Sequence, residues 1–80
     1  VISAQRMQDR VDAILEAAKK VFSEKGFEAA SIAEIARSAS VSDGLIYRYF
    51  QNKRDLLFHV LRVFYERLMQ DLEREVDTSA

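Results

Sequence analysis

The chain has 80 residues, enough for one domain. It is 49% apolar and 31% charged, the balance of a soluble globular protein and not of a disordered one. With no cysteine and a single histidine, His59, it excludes disulfide frameworks, zinc–thiolate sites, thiol nucleophiles and histidine metal clusters. Its apolar runs are too short for a membrane span or a secretory signal, so the expected setting is reducing and cytoplasmic, with no membrane partner.

Proline is absent where average usage of roughly 5% would supply about four, and glycine occurs only at Gly26 and Gly44. So few turn-makers disfavour hairpins and predict an all-α fold. The net charge of -1 averages two unlike parts: residues 1–54 carry 9 basic and 7 acidic side chains (+2), and residues 55–80 carry 3 and 6 (-3).

Met7, Val11, Ile14, Leu15, Ala18, Val21 and Phe22 recur at steps of three and four. They predict a first amphipathic helix over about 4–24, ended by Lys25-Gly26 with Gly26 as a left-handed cap and Phe27 folding back. Ser31-Ile-Ala-Glu34 has capping-box spacing and opens a short second helix, about 31–38, with Ile32, Ile35, Ala36 and Ala39 repeating at helical spacing. Ala39-Ser40-Val41 breaks the pattern. Ser42 is a good N-cap for a third helix, about 42–50; Val41 and Ile46 have hydrophobic-staple spacing, and Asp43 suits the helix dipole. Asn52, with Asp55 three residues on, caps a fourth helix over Asn52–Val76. Its predicted stripe is Leu57, Leu61, Phe64, Leu68, Leu72 and Val76, broadened at the start by Leu56, Val60 and Val63. The last four residues are expected to fray.

Two short helices across a three-residue break have the plan of a helix-turn-helix. At 100° per residue, Ile46, Phe50 and Tyr49 gather on the core side of the third helix. Gly44 and Arg48 lie opposite, Leu45 sits beside them, and Tyr47 and Tyr49 take the flanks. That outer face suits a DNA major groove. Arg48 can bond guanine O6 and N7, Leu45 can meet a thymine methyl, and Gly44 leaves the helix free to approach. Asp43 either accepts from a cytosine amine or only caps the helix. The tyrosine hydroxyls, Lys53 and Arg54 at the start of the fourth helix, and Ser31 at the start of the second are suited to phosphates. His59 is expected at the surface or between domains, Asp9, Asp12 and Glu16 on a solvated face, and Met7 and Met69 as core or interface filler.

From Ala18, Phe22, Gly26 and Phe27 through Val41-Ser-Asp-Gly-Leu-Ile-Tyr-Arg-Tyr-Phe-Gln-Asn-Lys53 to Leu56, the chain resembles the N-terminal signature of the TetR family of bacterial transcription repressors. The resemblance covers about residues 10–60. It implies a homeodomain-like, helix-turn-helix three-helix bundle over residues 1–51 and a long connecting helix over 52–77, leading to a C-terminal domain outside this chain. It further implies a homodimer on a near-palindromic operator of double-stranded DNA, released by a small-molecule effector bound in that other domain. Carried over by position, Ser31, Tyr47, Tyr49 and Lys53 become phosphate contacts, and Ser42, Asp43, Gly44, Leu45 and Arg48 the groove-facing set. Two positions depart from the pattern. Ser40 stands where glycine is usual, a disadvantage of roughly 1–2 kcal/mol if that residue is left-handed. Leu45 stands where a small or hydroxylated residue is common.

No nucleophile–base pair, phosphate loop or metal-ligand spacing is visible, so neither catalysis nor a cofactor is expected. The alternative is a helical protein–protein interaction module of the same fold that does not bind DNA; it would not need a bare glycine opposite its core face. Length adds one expectation. A compact 80-residue globule has a radius of gyration of about 12 Å, whereas the fourth helix alone would run about 37 Å. Its far apolar residues therefore call for a partner surface, and the missing initiator methionine fits a fragment.

Overall fold

The computed structural model describes the backbone of residues 2–79 and the side chains of residues 5–74. It contains four helices: α1 (Ile2–Ala29), α2 (Ile32–Ala39), α3 (Asp43–Tyr49) and α4 (Lys53–Ser79). No strand occurs among the described residues, as the shortage of turn-makers predicts. α2 packs on α1, α3 on α2, and the first part of α4 returns to α1.

Each break has a local cause. α1 is two helical pieces joined through Gly26, at φ 82° and ψ 166°. That is the extended mirror-image region open essentially to glycine alone, not the left-handed cap expected. The chain therefore does not stop at Lys25. It turns and winds once more, with the Ala30 N–H donating to the Gly26 carbonyl at 3.1 Å. Phe27 does fold back, its ring stacked on Phe22 at 5.8 Å.

Ser31 caps α2 by accepting from the Glu34 N–H at 3.1 Å. The reciprocal half of the expected capping box is different: the Glu34 carboxylate takes the Ser31 hydroxyl at 3.2 Å and the Lys25 ammonium. Those contacts, Lys25 foremost, hold the Glu34 carboxyl below the usual carboxylate range.

The turn between α2 and α3 is a Schellman motif. The Val41 N–H donates to the Ala36 carbonyl at 2.9 Å, and the Ser40 N–H to the Arg37 carbonyl at 3.2 Å. Ser40 is left-handed, at φ 59° and ψ 42°, so serine holds a conformation that glycine adopts without penalty. Ser42 caps α3 by accepting from the Leu45 N–H at 3.1 Å. Asn52 caps α4 through the Asp55 N–H at 2.8 Å, and the Asp55 carboxylate reaches back to the Gln51 N–H at 2.9 Å. α4 remains helical to Ser79, past the expected end at Val76.

The core joins all four helices: Ile14, Ala17, Ala18 and Val21 from α1, Ile32, Ile35 and Ala36 from α2, Ile46 from α3, and Leu56 and Val60 from α4, with Ala30 and Phe50 from the connections. Ile14, Ile35, Ile46 and Leu56 are fully buried, each stabilising the fold by roughly 1.5–3 kcal/mol. Among the described side chains, no polar or charged residue is buried.

The core covers mainly the edge of α4 that broadens the predicted stripe, and Leu68 and Leu72 are left uncovered, as their expected need for another surface implies. Leu56 and Val60 are buried and Val63 half-buried, whereas Leu61, Phe64, Leu68 and Leu72 are exposed. α4 carries two adjoining apolar faces, and periodicity alone does not say which one the bundle covers. Phe58, Tyr65 and Met69 widen the exposed face; Val76 lies outside the described side chains. Met7 is also exposed, so neither methionine fills the core. The radius of gyration is 14.7 Å, above the ~12 Å of a compact chain of this length. Both long helices extend the molecule: α1 has 28 residues and α4 has 27, the latter about 40 Å at 1.5 Å per residue.

Candidate nucleic-acid interface

α3 is short, but it is fixed from both ends and beneath. Ser42 closes its first turn, the Phe50 N–H bonds the Ile46 carbonyl at 2.9 Å, and Ile46 is fully buried under it. Phe50 ends the helix in an extended conformation and is buried. A rigid support of this kind lets a helix present side chains at fixed angles.

The outer face carries the predicted groove set. Ser42, Asp43, Gly44 and Arg48 are exposed, and Tyr47 keeps 54% of its surface in solvent. Leu45 is half-buried, so only part of its side chain is on offer. Tyr49 is half-buried and packs on the core edge. The side chains of Tyr47 and Arg48 make no hydrogen bond or ion pair among the described residues, so their polar ends have no other engagement in the fold. A Cβ built on Gly44 would meet only the Ser42 Oγ, at 3.9 Å. The protein itself therefore has room for a side chain there, and the bare backbone matters only for what approaches from outside.

The flanking residues differ more. Ser31 is half-buried with its hydroxyl engaged by Glu34, so binding a phosphate requires that hydroxyl to turn. Lys53 is half-buried, and its Nζ donates to the carbonyls of Phe27 at 2.7 Å, Ala30 at 3.0 Å and Glu28 at 3.3 Å. The ammonium also lies 4.4 Å from the centre of the Phe27 ring. Sequence reasoning missed this arrangement, because its partners lie 23 to 26 residues upstream and only the position of a lysine at the start of a helix was legible. Arg54 beside it is exposed, and its side chain makes no hydrogen bond or ion pair among the described residues. His59 is half-buried, 3.5 Å from the Asp55 carboxylate and edge-on to Phe50 at 5.2 Å. Among the described residues no group of acidic, histidine or cysteine side chains could hold a metal ion, and no helix is long and apolar enough to cross a membrane.

Residues 14–60 match the pattern of the bacterial regulatory proteins of the tetR family. The HTH-type transcriptional regulator HbdR of Aromatoleum sp. (strain CIB) is 39% identical over 77 residues, which cover 96% of this chain and 34% of HbdR. The fatty acid metabolism regulator protein of Bacillus subtilis (strain 168) is 41% identical over 61 residues, 76% of this chain and 30% of that protein. Among solved structures, the fatty acid degradation regulator FadR from Bacillus halodurans superposes with a TM-score of 0.79 at 35% identity, covering 82% of this chain and 35% of FadR. The chain thus spans about a third of the length of the relatives it matches. The helix-turn-helix geometry and these likenesses agree over the same residues, and the chain belongs to the tetR family of bacterial regulatory proteins.

Proposed function

We propose that this chain is the DNA-binding part of a bacterial transcription regulator, a ligand-released repressor, and that α3 reads the major groove of double-stranded DNA. The observation that carries the reading is the outer face of α3. A bare glycine, an exposed tyrosine and an exposed arginine, neither side chain engaged elsewhere, stand opposite a fully buried isoleucine. Arg48 reads a base edge, with Leu45 and Gly44 beside it and Ser42 and Asp43 at the entry of the helix. Tyr47, Tyr49 and Ser31 take phosphates on the flanks, which set the register without specifying sequence. Lys53 stands beside these residues at the start of α4, with its ammonium turned inward to backbone carbonyls.

The functional unit in this reading is a homodimer on a near-palindromic operator, its recognition helices about one helical turn, ~34 Å, or a multiple apart. The exposed apolar face of α4 supports this. Phe64, Leu68 and Leu72 are exposed at steps of four, a pattern suited to packing against the remainder of the protein and its dimer partner. A small-molecule effector held there would shift the far end of α4 and so the spacing of the two α3 helices. The site of action is the cytoplasm, and the chain itself performs no catalysis. A pure interaction module would use the α4 face alone. Binding-site selection with the full-length protein decides between the two: a two-fold symmetric consensus supports the DNA reading, and failure to retain any duplex at low salt contradicts it.

A further inference from the structure

Lys53 is the one residue of the candidate interface whose charged group points into the fold. An ammonium has three N–H donors and no others. Here the three meet three carbonyls, those of Phe27, Glu28 and Ala30, at 2.7, 3.3 and 3.0 Å. They are the carbonyls of the single turn that follows the break at Gly26, where the end of a helical segment leaves acceptors without amide partners. The Phe27 ring closes the site from another side, with its face toward the cation at 4.4 Å to the centroid. The turn that offers these carbonyls exists only because Gly26 redirects the chain there. A phosphate arriving at the ammonium would find no donor left and would face three carbonyl oxygens of its own sign.

We propose that Lys53 acts at the DNA interface as a positioning residue: its ammonium ties the end of α1 to the first turn of α4, fixing the helix-turn-helix unit between them, and does not itself contact a phosphate. The inference rests on the DNA reading above but differs from it in what it asks of the free protein. The geometry also requires lysine in particular. The planar guanidinium of arginine keeps the charge but cannot converge on three carbonyls around one nitrogen.

Three variants of the full-length protein test this: Lys53→Met, Lys53→Arg and Phe27→Leu. Binding to the selected operator is measured across a range of salt concentrations, and amide hydrogen exchange is followed over residues 26–31 and 51–56 of the free protein. A positioning role predicts that Lys53→Met weakens binding by roughly ten-fold or more, the range of a lost charged hydrogen bond, with the salt slope unchanged. Lys53→Arg fails to restore binding. Phe27→Leu, which alters no charge, weakens binding in the same direction, and exchange over both segments quickens in all three. A direct phosphate contact predicts the reverse: a slope reduced by about 1 for Lys53→Met, rescue by arginine, and no effect of Phe27→Leu. That pattern, or unchanged exchange in Lys53→Met, overturns the proposal. A wild-type protein that binds no duplex defeats the DNA reading instead, and the exchange measurement, which needs no DNA, still decides whether Lys53 holds the two helix ends together.

Discussion

α3 and α4 each leave one face uncovered, and the two faces are unlike. On α3 the uncovered residues are small or polar: Ser42, Asp43, Gly44, Tyr47 and Arg48. On α4 the exposed residues include, beside charged ones, a large apolar set: Phe58, Leu61, Phe64, Tyr65, Leu68 and Leu72. An exposed arginine and tyrosine over a bare backbone suit a hydrated polyanion whose grooves display hydrogen-bonding edges. A continuous apolar stripe suits another protein surface. The same bundle therefore carries two exposed faces of different chemistry, and the buried sides of both helices meet in one core.

The comparison predicts that the two faces of α3 respond oppositely to truncation. Ile46→Ala, on the core side, destabilises the fold by about 2–5 kcal/mol, read by denaturant unfolding. Arg48→Ala, on the outer side, leaves stability within about 0.5 kcal/mol and acts on DNA binding alone. Paired Leu68→Gln and Leu72→Gln substitutions on α4 sharpen the contrast. They leave the core intact, since neither side chain enters it, while weakening subunit association in sedimentation analysis. An association constant unchanged by the pair would detach the α4 face from assembly.

Much of this was legible in the sequence wherever the cause was local. Ser31, Ser42 and Asn52 cap the helices they were expected to cap, because a cap depends on residues three apart. The core side of α3 followed from helical angle alone, and Ile46 and Phe50 are buried as expected. What depended on distant parts of the chain was not legible. Which apolar face of α4 would be covered depends on where α1 lies, and the inward turn of Lys53 depends on carbonyls more than twenty residues away. Gly26 is legible as a break, but its extended conformation and the extra turn after it, on which Phe27 meets Phe22 and Lys53, are not.

Two smaller effects test the turns that hold α3 in place. Ser40→Gly relieves a left-handed serine. The roughly 1–2 kcal/mol steric term, less the roughly 0.5–1 kcal/mol entropic cost of glycine, predicts a gain of up to about 1.5 kcal/mol in thermal unfolding. A destabilised variant would mean that the serine side chain contributes more than its backbone conformation costs. The smallest effect is that of pH on Glu34. Its folded carboxyl titrates below the usual range, so its contribution is complete above that range and is lost as the pH falls through the lowered value. Glu34→Gln should flatten that acid-side slope; a slope identical to wild type would show that Lys25 and Ser31 do not favour the charged form.

The central claim is that the outer face of α3 reads bases, and Arg48→Ala tests it most directly when binding is measured on the selected operator and on random duplex at the same salt concentration. The claim predicts a loss of about 1–3 kcal/mol on the operator, relaxed preference at one base pair, and little change on random DNA. Equal losses on the two duplexes would contradict it and reduce Arg48 to a phosphate contact.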